Sequence, residues 1–175
     1  MNLTETKKSG KTVYSGKILT LTVDEVTLPD GNVAEREIVR HTGGAAVLAV
    51  KDDCVLLVRQ FRYAYQKEIY EIPAGKLNAG EDPAKAALRE LEEETGYTAE
   101  LVPALKIYPT PGYTDEVIHI YFAENLRFVG QRLDEGEFLN IEFIPLAEVV
   151  SKIDSGEICD GKTVAAVYKY LSAKR

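Results

Sequence analysis

Two kinds of hydrophobic pattern divide the chain. Between residues 12 and 27 the apolar positions Val13, Tyr14, Ile18, Leu19, Leu21, Val23 and Val26 are interleaved with polar ones, and Glu35-Arg36-Glu37-Ile38-Val39-Arg40 follows after Leu28-Pro29-Asp30-Gly31-Asn32. Asp-Gly between two such runs predicts a hairpin, because Gly31 can take the positive φ that a tight turn demands. After Gly43-Gly44 the pattern changes. Ala45-Ala46-Val47-Leu48-Ala49-Val50 and Val55-Leu56-Leu57-Val58 are continuously apolar, as in strands covered on both faces, with Lys51-Asp52-Asp53 as a turn between them. The pattern predicts residues 1–42 as an antiparallel appendage and residues 43–175 as the core domain.

Further on, Glu68-Ile69-Tyr70-Glu71-Ile72 alternates until Pro73 ends it, and a loop from Gly75 to Gly80 leads into a helix. Asp82 is placed to cap that helix. Pro83 suits its first turn, where its missing N–H would have had no partner, and Gly96 suits the left-handed position that ends it. Ala84, Ala87, Leu88 and Leu91 recur at i, i+3, i+4, i+7 and mark the core face. Strand-like runs follow near 101–108, 117–122 and 139–144, then Leu146, Val149, Val150 and Ile153 at helical spacing, and Val164, Val167, Tyr168 and Leu171 likewise. The order predicts an α/β fold with helices layered about a mixed sheet.

A chain of 175 residues has room for one domain of ordinary size without disulfide staples. The balance of 28 acidic against 21 basic residues, net −7, argues against an extended nucleic-acid surface and leaves carboxylates for hard cations. Cys54 and Cys159 form no C-x-x-C pair, Cys54 sits in an apolar run, and neither an amino-terminal h-region nor an 18-residue apolar run is present. The expectation is a cytoplasmic protein that binds neither nucleic acid nor membrane.

The chemistry is concentrated in the predicted helix. Six acids fall between Glu81 and Glu94, and Glu90, Glu92, Glu93 and Glu94 occupy the last turns. The macrodipole is negative there, and carboxylates three and four apart repel by ~0.2–0.5 kcal/mol per pair. Glu90 and Glu94 lie about 40° apart around the helix and Glu93 about 60° beyond Glu90, so the three converge beside the apolar stripe. A solvated acidic face is the plain alternative. A divalent cation would remove the conflict, and Mg²⁺, which takes oxygen ligands and shares its shell with phosphates, suits such a cluster.

The whole stretch from Gly75 to Tyr97 fits Gly-x5-Glu-x7-Arg-Glu-aliphatic-x-Glu-Glu-x-Gly-hydrophobic, through Gly75, Glu81, Arg89, Glu90, Leu91, Glu93, Glu94, Gly96 and Tyr97. It resembles the signature of the Nudix hydrolase family. The resemblance implies an α/β/α sandwich and hydrolysis of a nucleoside diphosphate linked to another group, with Mg²⁺ or Mn²⁺ held by the helix glutamates. Glu90 and Glu94 are then the primary ligands, Glu93 a further ligand and catalytic candidate, and the Ala74 carbonyl a completing donor. Gly75, Glu81, Arg89 and Gly96 become structural positions, with Arg89 and Glu81 paired to fix loop against helix.

Outside the motif, Arg36-Glu37-Ile38-Val39-Arg40, Val58-Arg59-Gln60-Phe61-Arg62, Glu71-Ile72-Pro73-Ala74-Gly75, Tyr108-Pro109-Thr110-Pro111-Gly112 and Asp134-Glu135-Gly136-Glu137-Phe138 are similar to the ADP-ribose pyrophosphatase branch. In that branch a proline follows the motif at about this distance, here Pro111. The resemblance implies Arg36 and Arg62 as phosphate or purine contacts, Tyr14 against the adenine of a partner subunit, and Glu116 on the terminal ribose. Glu135 or Glu137 is the implied general base, and a homodimer through the amino-terminal strands is the implied assembly. Each also reads as an ordinary surface or strand residue. Two other functions stay open: hydrolysis of another nucleoside diphosphate sugar or dinucleotide, and a non-catalytic nucleotide-binding module.

Overall fold

The amino-terminal alternation folds as three strands where the hydrophobic pattern predicts two, in a computed structural model that describes residues 2–133 and 135–174. Strands β1 (Thr6–Ser15), β2 (Thr20–Thr27) and β3 (Val33–Arg40) form an antiparallel sheet in that order. The Asp30-Gly31 turn is where it is expected, with Gly31 at φ 87°. The other turn, closed by the Gly16 N–H donating to the Leu19 carbonyl at 2.9 Å, falls inside the run read as one strand. β1 itself starts in Thr6-Lys7-Lys8-Ser9-Gly10, which holds no apolar side chain for a pattern to register. Every residue of β1 is exposed.

These strands belong with Tyr108–Val117 to one compact unit, which takes in the chain up to Gly43. Buried Asp24 organises it, accepting from Lys7 Nζ at 2.8 Å and from Arg40 at 2.9 Å. The Asp115 carboxylate receives Arg40 at 3.1 Å and the His41 N–H at 2.9 Å.

The second unit comprises Gly44–Ile107 and the chain from Ile118 onward. Its strands are β4 (Gly44–Lys51), β5 (Cys54–Arg62), β6 (Lys67–Glu71), β7 (Ala74–Lys76), β8 (Tyr97–Ile107), β9 (Ile118–Phe128) and β10 (Leu139–Pro145). Its helices are α1 (Pro83–Thr95), α2 (Leu146–Asp154) and α3 (Gly161–Ala173). The sheet runs β10-β5-β4-β9-β8 and is mixed, since β4 and β9 are parallel while the other pairings are antiparallel.

The continuous apolar run of β4 is explained by its two covered faces. Ala45, Val47 and Ala49 pack with Leu56 against Ala86, Ala87 and Leu91 of α1, whereas Ala46 and Leu48 pack with Val55 and Leu57 towards Val149 of α2 and Val167 of α3. The result is an α/β/α sandwich.

One irregularity positions the site. β4 and β5 pair only at Val50–Val55 and Lys51–Cys54 and then part, β6 lying along β5 and β7 along β4. The short segment Glu71-Ile72-Pro73-Ala74 crosses that opening, pinned by the Val47 N–H donating to the Pro73 carbonyl at 2.9 Å. Among the described residues, no helix is long and apolar enough to cross a membrane.

Candidate active site

Local chemistry places α1 as its sequence requires. The Asp82 carboxylate caps it, accepting from the Ala84 and Lys85 N–H groups at 3.0 and 3.1 Å, with Pro83 in the first turn. Gly96 ends it at φ 74°, and its N–H donates to the Glu92 carbonyl at 2.9 Å. A second reason for glycine at 96 comes from the chain after β9: a Cβ there would stand 2.5 Å from the Gln131 nitrogen. That same segment satisfies the helix end, the Arg132 N–H donating to the Glu93 carbonyl at 3.2 Å and the Gln131 side-chain amide to the Glu94 carbonyl at 2.6 Å.

Arg89 ties loop to helix. Its Nε and one terminal nitrogen donate to the two Glu81 oxygens at 3.1 and 3.2 Å, and Glu81 also accepts the Asn78 N–H at 2.9 Å. The other terminal nitrogen donates to Glu90 at 2.7 Å and to Glu93 at 2.8 Å. The hydrogen bond that Arg89 donates to Glu81, reinforced by Glu90 and Glu93, holds the guanidinium above its ordinary pKa.

Glu90 lies across Gly75 so closely that a Cβ on residue 75 would land in its carboxylate. Gly75 is therefore demanded by the approach of Glu90 and not by a positive φ. Burial raises the Glu90 pKa, Arg89 opposes the rise, and the charges of Glu93 and Glu137 add to it. Glu94 is 4% exposed and accepts the Ala74 N–H at 3.0 Å. Burial pushes its pKa up to about 8; the Ala74 hydrogen bond works against the rise, while Glu90, Glu137 and Glu71 add to it.

The charge of Glu137 thus acts on half-buried Glu90 and buried Glu94 from a loop more than forty residues away in sequence. Glu135 and Glu137 are both exposed, and Glu135 is not among the leading charges on either glutamate. Asp134 lies outside the described residues.

Among the described residues, no three acidic, imidazole or thiol side chains are gathered as a ready metal site. Arg89 draws Glu90 and Glu93 to itself, and Ala74 holds Glu94 through its N–H. The donor chemistry nonetheless fits a hard divalent cation: the available groups are carboxylates, and Glu90 and Glu94 carry burial-raised pKa values that a cation would offset. A cavity of about 590 Å³ beside the helix end is lined by Arg89, Glu93, Arg132 and Leu133 among others, so Glu93 also borders an opening that Glu90 and Glu94 do not line.

Arg62 is engaged already. Its Nε and one terminal nitrogen donate to the two oxygens of Glu71 at 2.5 and 2.9 Å, and Lys162 is a second cation on the same carboxylate. Glu71 is 3% exposed; burial alone would raise its pKa, but Arg62 and Lys162 bring it below its ordinary value. In the sequence Glu71 is marked only as part of the segment that leads to Gly75, and Lys162 is not marked at all. The available signal was Asp160-Gly161, a cap followed by a helix start like Asp82-Pro83.

Tyr14, Arg36 and Glu116 belong to the other unit. Tyr14 on β1 is 58% exposed. Arg36 on β3 forms a two-pronged pair with Glu5 at 2.5 and 3.0 Å. The Glu116 carboxylate lies 3.5 Å from His41 Nδ1, and the Glu116 N–H donates to Thr114 Oγ1 at 3.2 Å.

Residues 39–167, most of the chain, match the family model described as the NUDIX domain. The chain belongs to the Nudix family. Residues 5–39 match a second model, the nucleoside diphosphate sugar hydrolase N-terminal domain. This Nudix protein is 45% identical to the ADP-ribose pyrophosphatase of Bacillus subtilis, over 93% of its own length and 89% of the relative's. It is 46% identical to the methanol dehydrogenase activator of Bacillus methanolicus, over 91% and 88%. A solved structure described as an ADP compounds hydrolase superposes with a TM-score of 0.87 at 23% identity, covering 98% of this chain and 95% of that one, and bears on the Nudix fold alone.

Proposed function

We propose that this Nudix enzyme hydrolyses the diphosphate of ADP-ribose, giving AMP and ribose 5-phosphate. The observation that carries the reading is the end of α1, where half-buried Glu90 lies over Gly75 and buried Glu94 holds the Ala74 N–H, with the charge of Glu137 from a separate loop acting on both. The 45% identity to an ADP-ribose pyrophosphatase supports the substrate. Phosphate release after phosphatase coupling, measured with ADP-ribose, ADP-glucose, GDP-mannose, NADH and diadenosine polyphosphates, tests it. ADP-ribose is expected to have the highest kcat/KM, and a clear preference for another compound in the panel would replace it as substrate.

Glu90 and Glu94 are the proposed ligands for Mg²⁺, with Glu93 and the Ala74 carbonyl as further donors; Mn²⁺ suits the same oxygens. Bound there, the cation would neutralise non-bridging phosphate oxygens that otherwise repel a nucleophile. Glu137 accepts the proton of the attacking water, whose oxygen bonds to phosphorus as the bridging P–O bond breaks. Arg62 offers guanidinium donors to the diphosphate. The Arg89–Glu81 pair keeps loop and helix in register and does not itself touch the reacting atoms. The cytoplasm remains the proposed location.

The raised carboxylates predict an unusual pH dependence. A carboxyl group whose folded pKa exceeds its unfolded value gives a contribution to stability that is complete below the unfolded pKa and is lost as pH rises through the folded one. For Glu94 that window runs from 4.5 to about 8, and Glu90 acts in the same direction. Metal-free protein is therefore expected to lose thermal stability from pH 5 to 8, and Mg²⁺ to raise the melting midpoint more at pH 8 than at pH 5.5. Scanning calorimetry with EDTA or Mg²⁺ at each pH checks this; an increment independent of pH would remove Glu94 as a ligand.

The proposed assembly is a homodimer through the amino-terminal strands. Support comes from β1, an edge strand exposed along all ten residues and carrying Val13 and Tyr14. The unpaired backbone of an edge strand is a template for another chain, and the apolar pair Val13 and Tyr14 lies at its carboxyl end, beyond the lysines Lys7, Lys8 and Lys11. Light scattering is expected to give about twice 19.4 kDa, and deletion of residues 1–42 to give a monomer with a raised KM, because Tyr14 and Arg36 leave with the strands. A monomeric full-length protein would overturn the assembly.

A further inference from the structure

The crossing segment Glu71-Ile72-Pro73-Ala74 is gripped from both faces of the sheet. From one face, Glu94 of α1 takes the Ala74 N–H at 3.0 Å. From the other, Thr163 Oγ1 on α3 accepts the Ile72 N–H at 2.8 Å, a contact spanning 91 residues of sequence. Thr163 is fully buried and donates its own hydroxyl proton to Asp160 Oδ2 at 2.6 Å, which fixes the direction of its lone pairs. A helix N-cap needs the Asp160 carboxylate and the Thr163 N–H, bonded at 3.0 Å; it does not need a hydroxyl aimed at another element.

The neighbouring residue works on the same segment by charge. Lys162 binds Glu71 and stands 3.1 Å from Asp160, its side chain only 10% exposed. Glu71 therefore has two cations, Arg62 and Lys162, and Lys162 is shared with Asp160. Arg62 meets Glu71 through both carboxylate oxygens, so Lys162 takes up part of a negative charge that would otherwise fall on the guanidinium alone.

We propose that the first turn of α3 is a positioning device for the active site: Thr163, oriented by Asp160, sets the bend that presents Ala74 to Glu94, and Lys162 offsets Glu71 so that Arg62 keeps its charge for a diphosphate. The second half rests on the reading of Arg62 as a diphosphate ligand; the first half does not. None of these three residues touches the reacting atoms, and each acts through Ile72 or Glu71.

The test uses the full chain, with Mn²⁺ affinity measured by electron paramagnetic resonance without substrate and kcat and KM measured with ADP-ribose. Thr163→Val keeps the side chain's shape and removes the acceptor, and should weaken Mn²⁺ binding ~10–100-fold, the range for losing a group that orients a metal ligand, while Thr163→Ser restores most of the affinity. Lys162→Met should raise KM ~10-fold, more than it lowers kcat, without weakening Mn²⁺ binding, and Lys162→Arg should recover the KM. This opposite pattern in adjacent residues is not expected of general destabilisation. Wild-type Mn²⁺ affinity in folded Thr163→Val overturns the first half, and an unchanged KM in Lys162→Met overturns the second. If Thr163→Val does not fold, Asp160→Asn, which keeps a capping oxygen but weakens the hold on the Thr163 hydroxyl, should show the same loss of Mn²⁺ affinity, and its absence overturns the claim. Failure of the wild type to hydrolyse ADP-ribose would defeat the substrate reading and leave the Mn²⁺ result standing.

Discussion

Glu94→Gln is expected to lower turnover of ADP-ribose by at least ~10³, in the range found when electrostatic stabilisation of a charged transition state is lost. The amide oxygen of Gln can still accept the Ala74 N–H, so the helix and the crossing segment stay in place. What disappears is a carboxylate that burial and its neighbours have pushed up to about 8. Without metal the variant should therefore melt no lower than wild type at pH 8, and its midpoint should respond less to Mg²⁺. Loss of activity with unchanged or improved metal-free stability separates a ligand from a structural residue. Wild-type turnover at saturating Mg²⁺ would refute the assignment.

Glu137→Gln is expected to lower kcat by ~10²–10⁴, the span for removing a general base, while the Mg²⁺ concentration needed for activity stays within a few-fold of wild type. Glu135→Gln should cost far less. The distinction comes from placement: Glu137 contributes to the raised pKa of both Glu90 and Glu94, and Glu135 is not among the leading contributors to either. If Glu135→Gln is the slower enzyme, the loop supplies the base from its other glutamate.

Much of this site is readable along the chain because it depends on neighbours within one or two helical turns. Asp82, Pro83 and Gly96 delimit α1 through bonds to groups at most four residues away. Glu90, Glu93 and Glu94 share an edge of the helix by periodicity alone. The apolar run of β4 likewise announces a strand covered on both faces, and α1 on one side with α2 and α3 on the other supply the cover.

Elsewhere the local pattern was insufficient for a physical reason. β1 begins in a stretch of Thr, Lys, Ser and Gly, and its pairing with β2 comes from backbone hydrogen bonds that leave no hydrophobic trace. Two glycines of the motif are legible as glycines but not for their full cause. Gly75 is required because Glu90 folds over it, and Gly96 because the backbone at Gln131 closes on it in addition to its positive φ.

Local pattern alone was enough for the acidic helix: a cluster of carboxylates at the end of a well-capped amphipathic helix, inside an α/β chain. How that helix is held against the rest of the site came from packing. The parting of β4 from β5 opens a gap for residues 71–74, and that gap lets α3 reach Ile72 through Thr163 and Glu71 through Lys162. Those contacts join residues 91 apart, and a long-range contact is specified by the packing of whole strands and helices, to which no spacing within a short window is sensitive.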